Sequence, residues 1–156
     1  MRHLRVVLQT VDPRLTTHAA MIHHSTYRIT YADTDQMGYL YHGNYARLYE
    51  IGRTEMMRSL GITYAAMEAE VGVMMPVMSL RQRFVRPARY DEVLTISTTL
   101  RSLPDKTITF HVEIKNEGGK LVNGGSVTLC FLRTTDQSRT SVPEYLFARL
   151  RPHFAD

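Results

Sequence analysis

The chain is expected to be a single α+β domain, a curved five-stranded antiparallel sheet wrapped around one long helix at about residues 44–60. Three observations support this. One long amphipathic segment follows a short first strand. Four strand-like segments then follow with no second long helix among them. Residues 106–115 alternate apolar and polar positions with period 2. Strands in a run beside one helix define α+β rather than alternating α/β.

The first strand is read from Ser25 to Tyr31, with Tyr27, Ile29 and Tyr31 on one side and Thr26, Arg28 and Thr30 on the other. Turn-forming residues from Asp33 to Gly38 end it. In the helix, Tyr45, Leu48, Tyr49, Gly52, Met56 and Leu60 share a face, while Arg47, Glu50, Arg53, Thr54 and Arg58 lie mostly away from it. Asn44 is the expected N-cap, and Gly61 the residue that ends the helix. Gly52 on the buried face costs about 1 kcal/mol of helix propensity relative to alanine, which close approach to a sheet would offset.

A short connection over 62–71 leads to strands expected at 75–85, 92–101, 106–115 and 120–133, in hairpin succession. Asn116-Glu117-Gly118-Gly119 is a hairpin signal, Gly124-Gly125 suggests a bulge or bend, and Pro143 opens a short terminal helix to Leu150.

The 156 residues suit one domain, read as an N-terminal extension of unassigned role (1–20) followed by the folded unit (21–156). Met21 is an alternative start. The extension lacks the apolar segment of a signal peptide. No apolar run approaches the roughly 20 residues of a spanning helix, so no membrane span is expected. Net charge is +4. Arg2, Arg5 and Arg14 against Asp12 place +2 of it in the extension, leaving +2 for the remainder. That is not a nucleic-acid surface, although it suits a small polyanion. The single cysteine, Cys130, excludes an internal disulfide and fits a reducing, cytoplasmic setting; between Leu129 and Phe131 it reads as a buried thiol.

The stretch YADTDQMGYLYHGNY, Tyr31 to Tyr45, concentrates the chemistry. Turn aspartates such as Asp33 and Asp35 commonly cap their own backbone. A calcium loop starting at Asp33 fails, because its fifth and twelfth positions are Met37 and Asn44. The first amides of the following helix are a ready donor site for an oxyanion. His42, a lone histidine beside two tyrosines, reads on the residues alone more often as a structural hydrogen-bonding residue than as a catalyst. Arg83, Arg86 and Arg89 around Pro87 form either a solvated strand face or a phosphate-pairing set. Tyr39, Leu40 and Tyr45, with Met74, Met75 and Met78, are either core or the lining of an acyl pocket. No metal site and no cofactor is expected.

The segment RITYADTDQMGYLYHGNYARLYEIGRTEMMRSLGI, continued by RFVRPARYDEVLTIST, resembles the hot-dog-fold acyl-CoA thioesterases of the 4-hydroxybenzoyl-CoA-thioesterase-like type, including the small Tol–Pal-associated enzymes. The resemblance covers roughly residues 24 to 150 and leaves the first twenty outside it. It implies an acyl-CoA hydrolase in which Asp35 is nucleophile or general base and the backbone N–H at His42 is the oxyanion donor. Tyr31 and the His42 side chain join the catalytic set, and Asp33 orients the turn. It further implies substrate contacts from Tyr39, Leu40, Tyr41, Arg83, Arg86 and Arg89, and a site completed in a homodimer or homotetramer. Two other readings remain open at this point: hydrolysis of acyl groups on acyl carrier protein, and a non-catalytic acyl-CoA-binding module.

Overall fold

The computed structural model describes residues 19–154. What was expected of residues 1–18 lies outside them. The strands are β1 (Met21–Arg28), β2 (Val73–Met74), β3 (Val77–Phe84), β4 (Val93–Leu100), β5 (Thr107–Lys115), β6 (Leu121–Arg133) and β7 (Arg139–Thr140). The helices are α1 (Asn44–Ser59), α2 (Tyr64–Ala66), which continues into a wider π turn (Met67–Val71), and α3 (Glu144–Leu150). Every pairing is antiparallel, in the order β1-β4-β5-β6, with β3 along β6 and the two-residue strands β2 and β7 also on β6.

The five long strands are the five expected, but their order is not a hairpin succession. The strand expected at 75–85 breaks at Met75-Pro76, and its main part, β3, pairs with β6 rather than β4. β4 pairs instead with β1, so β1 and β3 become the outer strands. Connection length hides this, because the eight-residue link between β3 and β4 is long enough for either arrangement.

Helix α1 crosses the inward face, where Leu94, Ile96, Ile108, Phe110, Val112, Ile114, Val127 and Leu129 are fully or almost fully buried. Its own Tyr45, Leu48, Tyr49, Met56 and Met57 complete the core. The expected close approach at Gly52 is present. A Cβ there would overlap Thr98 Oγ1 and sit 2.8 Å from Ile96 Cγ2. Arg53, assigned to the outer side of the helix, is instead buried and donates to the Tyr64 hydroxyl at 2.8 Å. The Tyr64 ring of α2 lies against it, its centre 5.3 Å from the guanidinium carbon.

At the C-terminus of α1, Gly61 adopts φ +72°, its N–H donates to Arg58 O at 2.9 Å, and Ile62 N–H donates to Met57 O at 3.0 Å. This is the paired-bond termination that favours glycine, sealed by the fully buried Ile62. The N-terminus differs from expectation. Asn44 is the first helical residue and caps nothing; its Nδ2 donates to Asp33 O at 3.0 Å, tying the helix to the preceding loop.

Gly124 and Gly125 carry no register shift. The irregularities fall between Ile114 and Lys115 and between Val77 and Ser79. Gly125 serves close approach instead, since a Cβ would overlap the Arg81 carbonyl and meet the Tyr49 hydroxyl at 3.0 Å. That hydroxyl donates to buried Asn123 Oδ1 at 2.6 Å, fixing α1 against β6. The hairpin at Asn116–Gly119 and the buried thiol of Cys130 are as expected.

Candidate active site

The segment after β1 is shaped by Asp33. Thr30 and Asp33 bond reciprocally, which winds Tyr31–Asp33 into one 3-10 turn and ends the strand three residues before the alternation suggested. The Asp33 carboxylate is buried and accepts from Thr30 N and Oγ1 and from the Tyr27 hydroxyl, each at 2.8 Å, and from the Arg47 guanidinium. Burial alone pushes its carboxyl up; the donors from Thr30 and Tyr27 and the Arg47 charge outweigh it and hold it below the usual carboxylate range. Every acceptor position on Asp33 that matters is occupied. It is an anchor.

Asp35 sits two residues on in a different environment. The backbone doubles back between Thr34 and Leu40, with Asp35 N–H donating to Tyr39 O at 2.9 Å and Gly38, at φ +75°, closing the turn. Met37 N–H and Tyr39 N–H donate to Asp35 Oδ1 at 3.0 and 3.2 Å. Oδ2 has no protein partner among the described residues. One oxygen thus fixes the carboxylate and the other is available.

Asp35 lines a cavity of about 330 Å³ with Met37, Tyr39, Leu40, His42, Tyr45, Phe84, Val85, Arg86 and Pro87. Apart from Asp35, His42 and Arg86, the wall is apolar or aromatic. The Tyr45 and Phe84 rings meet edge to face at 5.3 Å, and burial pushes the Tyr45 hydroxyl up to about 12, so it remains neutral. The His42 and Gly43 amides, just ahead of the first turn of α1, make no hydrogen bond among the described residues. They carry the partial positive charge of a helix N-terminus.

The structure brings together Asp35, His42, Tyr39, Leu40 and Arg86. It does not bring in Tyr31, which is 76% exposed and stacks on Tyr90 with ring centres 3.9 Å apart. Tyr41 leans on the His42 ring outside the cavity, and Arg89 lies over the Tyr39 ring at 4.8 Å. Arg83 emerges on the opposite face of the sheet from Phe84, as strand alternation requires, and lines a separate groove. Phe84 and Val85 were missed by sequence reasoning. Their signal was there: they are large apolar residues at the end of an outer strand. Met74, Met75 and Met78 do not line the cavity.

Elsewhere, Lys106, Arg133, Arg139, Thr140 and Ser141 line a cationic cleft of about 530 Å³. Among the described residues no three His, Cys, Asp or Glu side chains converge as a metal site, and no helix is long and apolar enough to cross a membrane.

Residues 37–123 match the family model described as the thioesterase superfamily. The chain belongs to that superfamily. It is 34% identical over 93 residues to a putative acyl-CoA thioesterase, YneP, of Bacillus subtilis, covering 60% of this chain and 67% of the relative. It is 30% identical over 124 residues to the acyl-CoA thioester hydrolase YbgC of Escherichia coli, covering 80% and 92%. Among solved structures, a DHNA-CoA thioesterase from Staphylococcus aureus superposes with a TM-score of 0.71 at 29% identity, over 86% of this chain and 88% of the other. The sheet-wrapped helix is therefore the hot-dog fold of the thioesterases, and the chain is an enzyme of that class.

Proposed function

We propose that the protein hydrolyses acyl-CoA thioesters to the free acid and CoA, with Asp35 as the reactive carboxylate. The observation that carries this reading is the asymmetry of Asp35. Oδ1 is pinned by two backbone amides, while Oδ2 has no partner among the described residues, and Asp35 lines a largely apolar cavity together with His42, just ahead of α1. A thioester carbonyl placed between them would have its developing oxyanion met by the His42 or Gly43 N–H. One such donor is typically worth about 10²–10³ in rate.

Two routes use the same atoms. As general base, Asp35 takes a proton from water as the oxygen attacks the carbonyl; collapse expels the thiolate, which takes that proton. As nucleophile, Asp35 forms a mixed anhydride as the thiolate leaves, and water then cleaves the anhydride. The cavity's aromatic wall suits an apolar acyl group. The cleft at Lys106, Arg133 and Arg139 and the Arg86 guanidinium support a phosphorylated carrier, since guanidinium forks pair well with phosphate. The two clusters lie on different parts of one protomer.

Assembly through β3 would reconcile that separation. β3 is an outer strand with Val77, Met78, Leu80 and Phe84 all more than 40% exposed, an unusual apolar load for an unpaired edge. Pairing of this edge with a second copy supports a homodimer, or a homotetramer built on it, with the cavity beside Phe84 enclosed at the junction. The free, buried Cys130 is in keeping with a cytoplasmic setting.

The decisive experiment is thiol release from a panel of acyl-CoA esters by the wild type and the Asp35→Asn variant. The variant should keep its fold, its assembly mass and its affinity for CoA esters while losing at least about 10³ in kcat. Undiminished turnover in that variant removes Asp35 from the chemistry. Binding of CoA esters without turnover by the wild type would instead support a non-catalytic module.

A further inference from the structure

The outward face of the sheet carries a groove separate from the Asp35 cavity. Across the strands, Arg81, Ser126, His111 and Thr99 stand in one register row, and Arg83, Gly124 and Glu113 in the next. Gly124 contributes no side chain, so a gap opens between Arg83 and Glu113. The resulting groove has a volume of about 730 Å³, with Arg101 at one end and Val85 and Leu121 at the other.

Its charge is lopsided. Arg81, Arg83 and Arg101 face only Glu113, a net of +2, and none of the three is in an ion pair among the described residues. Glu113 itself is 3.4 Å from Lys115. Arg81 and Arg83 are two apart on one strand and so project from the same face, about 7 Å from each other. Ser126 and Thr99 add hydroxyl donors between the arginines and His111. Three unpaired guanidiniums in a concavity of this size form a receptor for several anionic oxygens at once. The same charge opposes closure of the face against a second copy of itself.

We propose that this groove binds a small organic polyanion through its phosphate groups. Val85 lines both this groove and the Asp35 cavity, with Arg83 and Phe84 on opposite faces just before it. A ligand held by Arg83 therefore bears on the wall of the active site through a single strand. Binding itself does not depend on the hydrolase reading, whereas the link to turnover does.

Inorganic pyrophosphate is the probe, titrated by calorimetry. The background is Lys106→Ala/Arg139→Ala, which removes two cations of the other cleft. Pyrophosphate should bind this protein, and adding Arg81→Ala/Arg101→Ala should weaken it at least about tenfold, the scale of losing one charge-assisted hydrogen bond. Both pairs are exposed, and matching melting temperatures check that the fold is kept. Asp35→Asn should bind as tightly as its parent, so failure of the catalytic reading and failure of this one are separable. Unchanged affinity after Arg81→Ala/Arg101→Ala, or no binding at millimolar pyrophosphate, overturns the assignment. So does a change of assembly mass on sedimentation in the same variant, which would make the face a contact between copies.

Discussion

Replacing Asp33 with alanine should damage stability first and activity as a consequence, the reverse of the pattern at Asp35. The Asp33 carboxylate accepts two bonds from Thr30, one from Tyr27 and an ion pair from Arg47, and is only 4% exposed. Hydrogen bonds to a buried charge are worth about 1.5–3 kcal/mol each when a partner is stranded. The Arg47 contribution is discounted, because its side chain is 49% exposed and re-solvates readily. The Thr30 hydroxyl can likewise turn to water. Thr30 N–H and the Tyr27 hydroxyl remain, which gives a loss of about 3–6 kcal/mol. In a chain of this length that lowers the melting temperature by about 6–24 °C.

Urea denaturation and calorimetry measure the loss, and thiol release measured well below the new transition reports the chemistry. Residual turnover should exceed that of Asp35→Asn, because the reactive carboxylate is still present on a loosened turn. An Asp33→Ala protein of wild-type stability with no turnover would refute the assignment, since Asp33 would then be acting on substrate. The pH dependence has a defined sign. With its folded value depressed, Asp33 contributes stability that is present above its ordinary value of 3.8 and is lost as pH falls through the folded value. The alanine variant should show a smaller acid-side decline.

Other substitutions read different parts of the fold. Gly52→Ala gains about 1 kcal/mol of helix propensity but drives a methyl into Thr98 and Ile96, so chemical denaturation should show a net loss of about 1–2 kcal/mol. Tyr49→Phe leaves Asn123 without its partner under α1 and should cost about 1–3 kcal/mol by the same measurement. His111, its imidazole pushed below its ordinary 6.5 by burial and then by Arg101, favours the neutral form when folded. Stability should therefore fall as pH drops below 6.5, and His111→Gln should flatten that segment of a melting-temperature profile.

Much of this arrangement was legible in the residues, for identifiable reasons. The buried face of α1, its stop at Gly61 and the need for a contact at Gly52 follow from period and from the absence of a Cβ. The placement of β3 was not legible, because alternation defines a strand's faces but not its neighbours. Tyr31 was misplaced for a local reason. The Thr30-x-x-Asp33 spacing, which can close a reciprocal cap, competes with strand alternation, and here the cap wins. Arg83 and Arg86 were grouped by proximity in sequence, yet Arg83 lines the outward groove and Arg86, past the end of β3, lines the Asp35 cavity.

The two aspartates show how one turn separates support from chemistry. Both are acceptors of backbone amides, so spacing alone gives them equal standing. The difference is what remains after those bonds are made. Asp33 has its remaining capacity filled by Tyr27 and Arg47, which lowers its basicity and leaves nothing to offer a substrate. Asp35 receives two amides on one oxygen and, among the described residues, nothing on the other, so it is oriented with one oxygen left open. Asp33 O also receives Asn44 Nδ2 and Tyr41 N–H, which sets the start of α1 relative to the turn. The filled carboxylate thus fixes the distance between the unfilled one and the helix amides. A change at Asp33 should therefore move activity through geometry, whereas a change at Asp35 should remove it at fixed geometry.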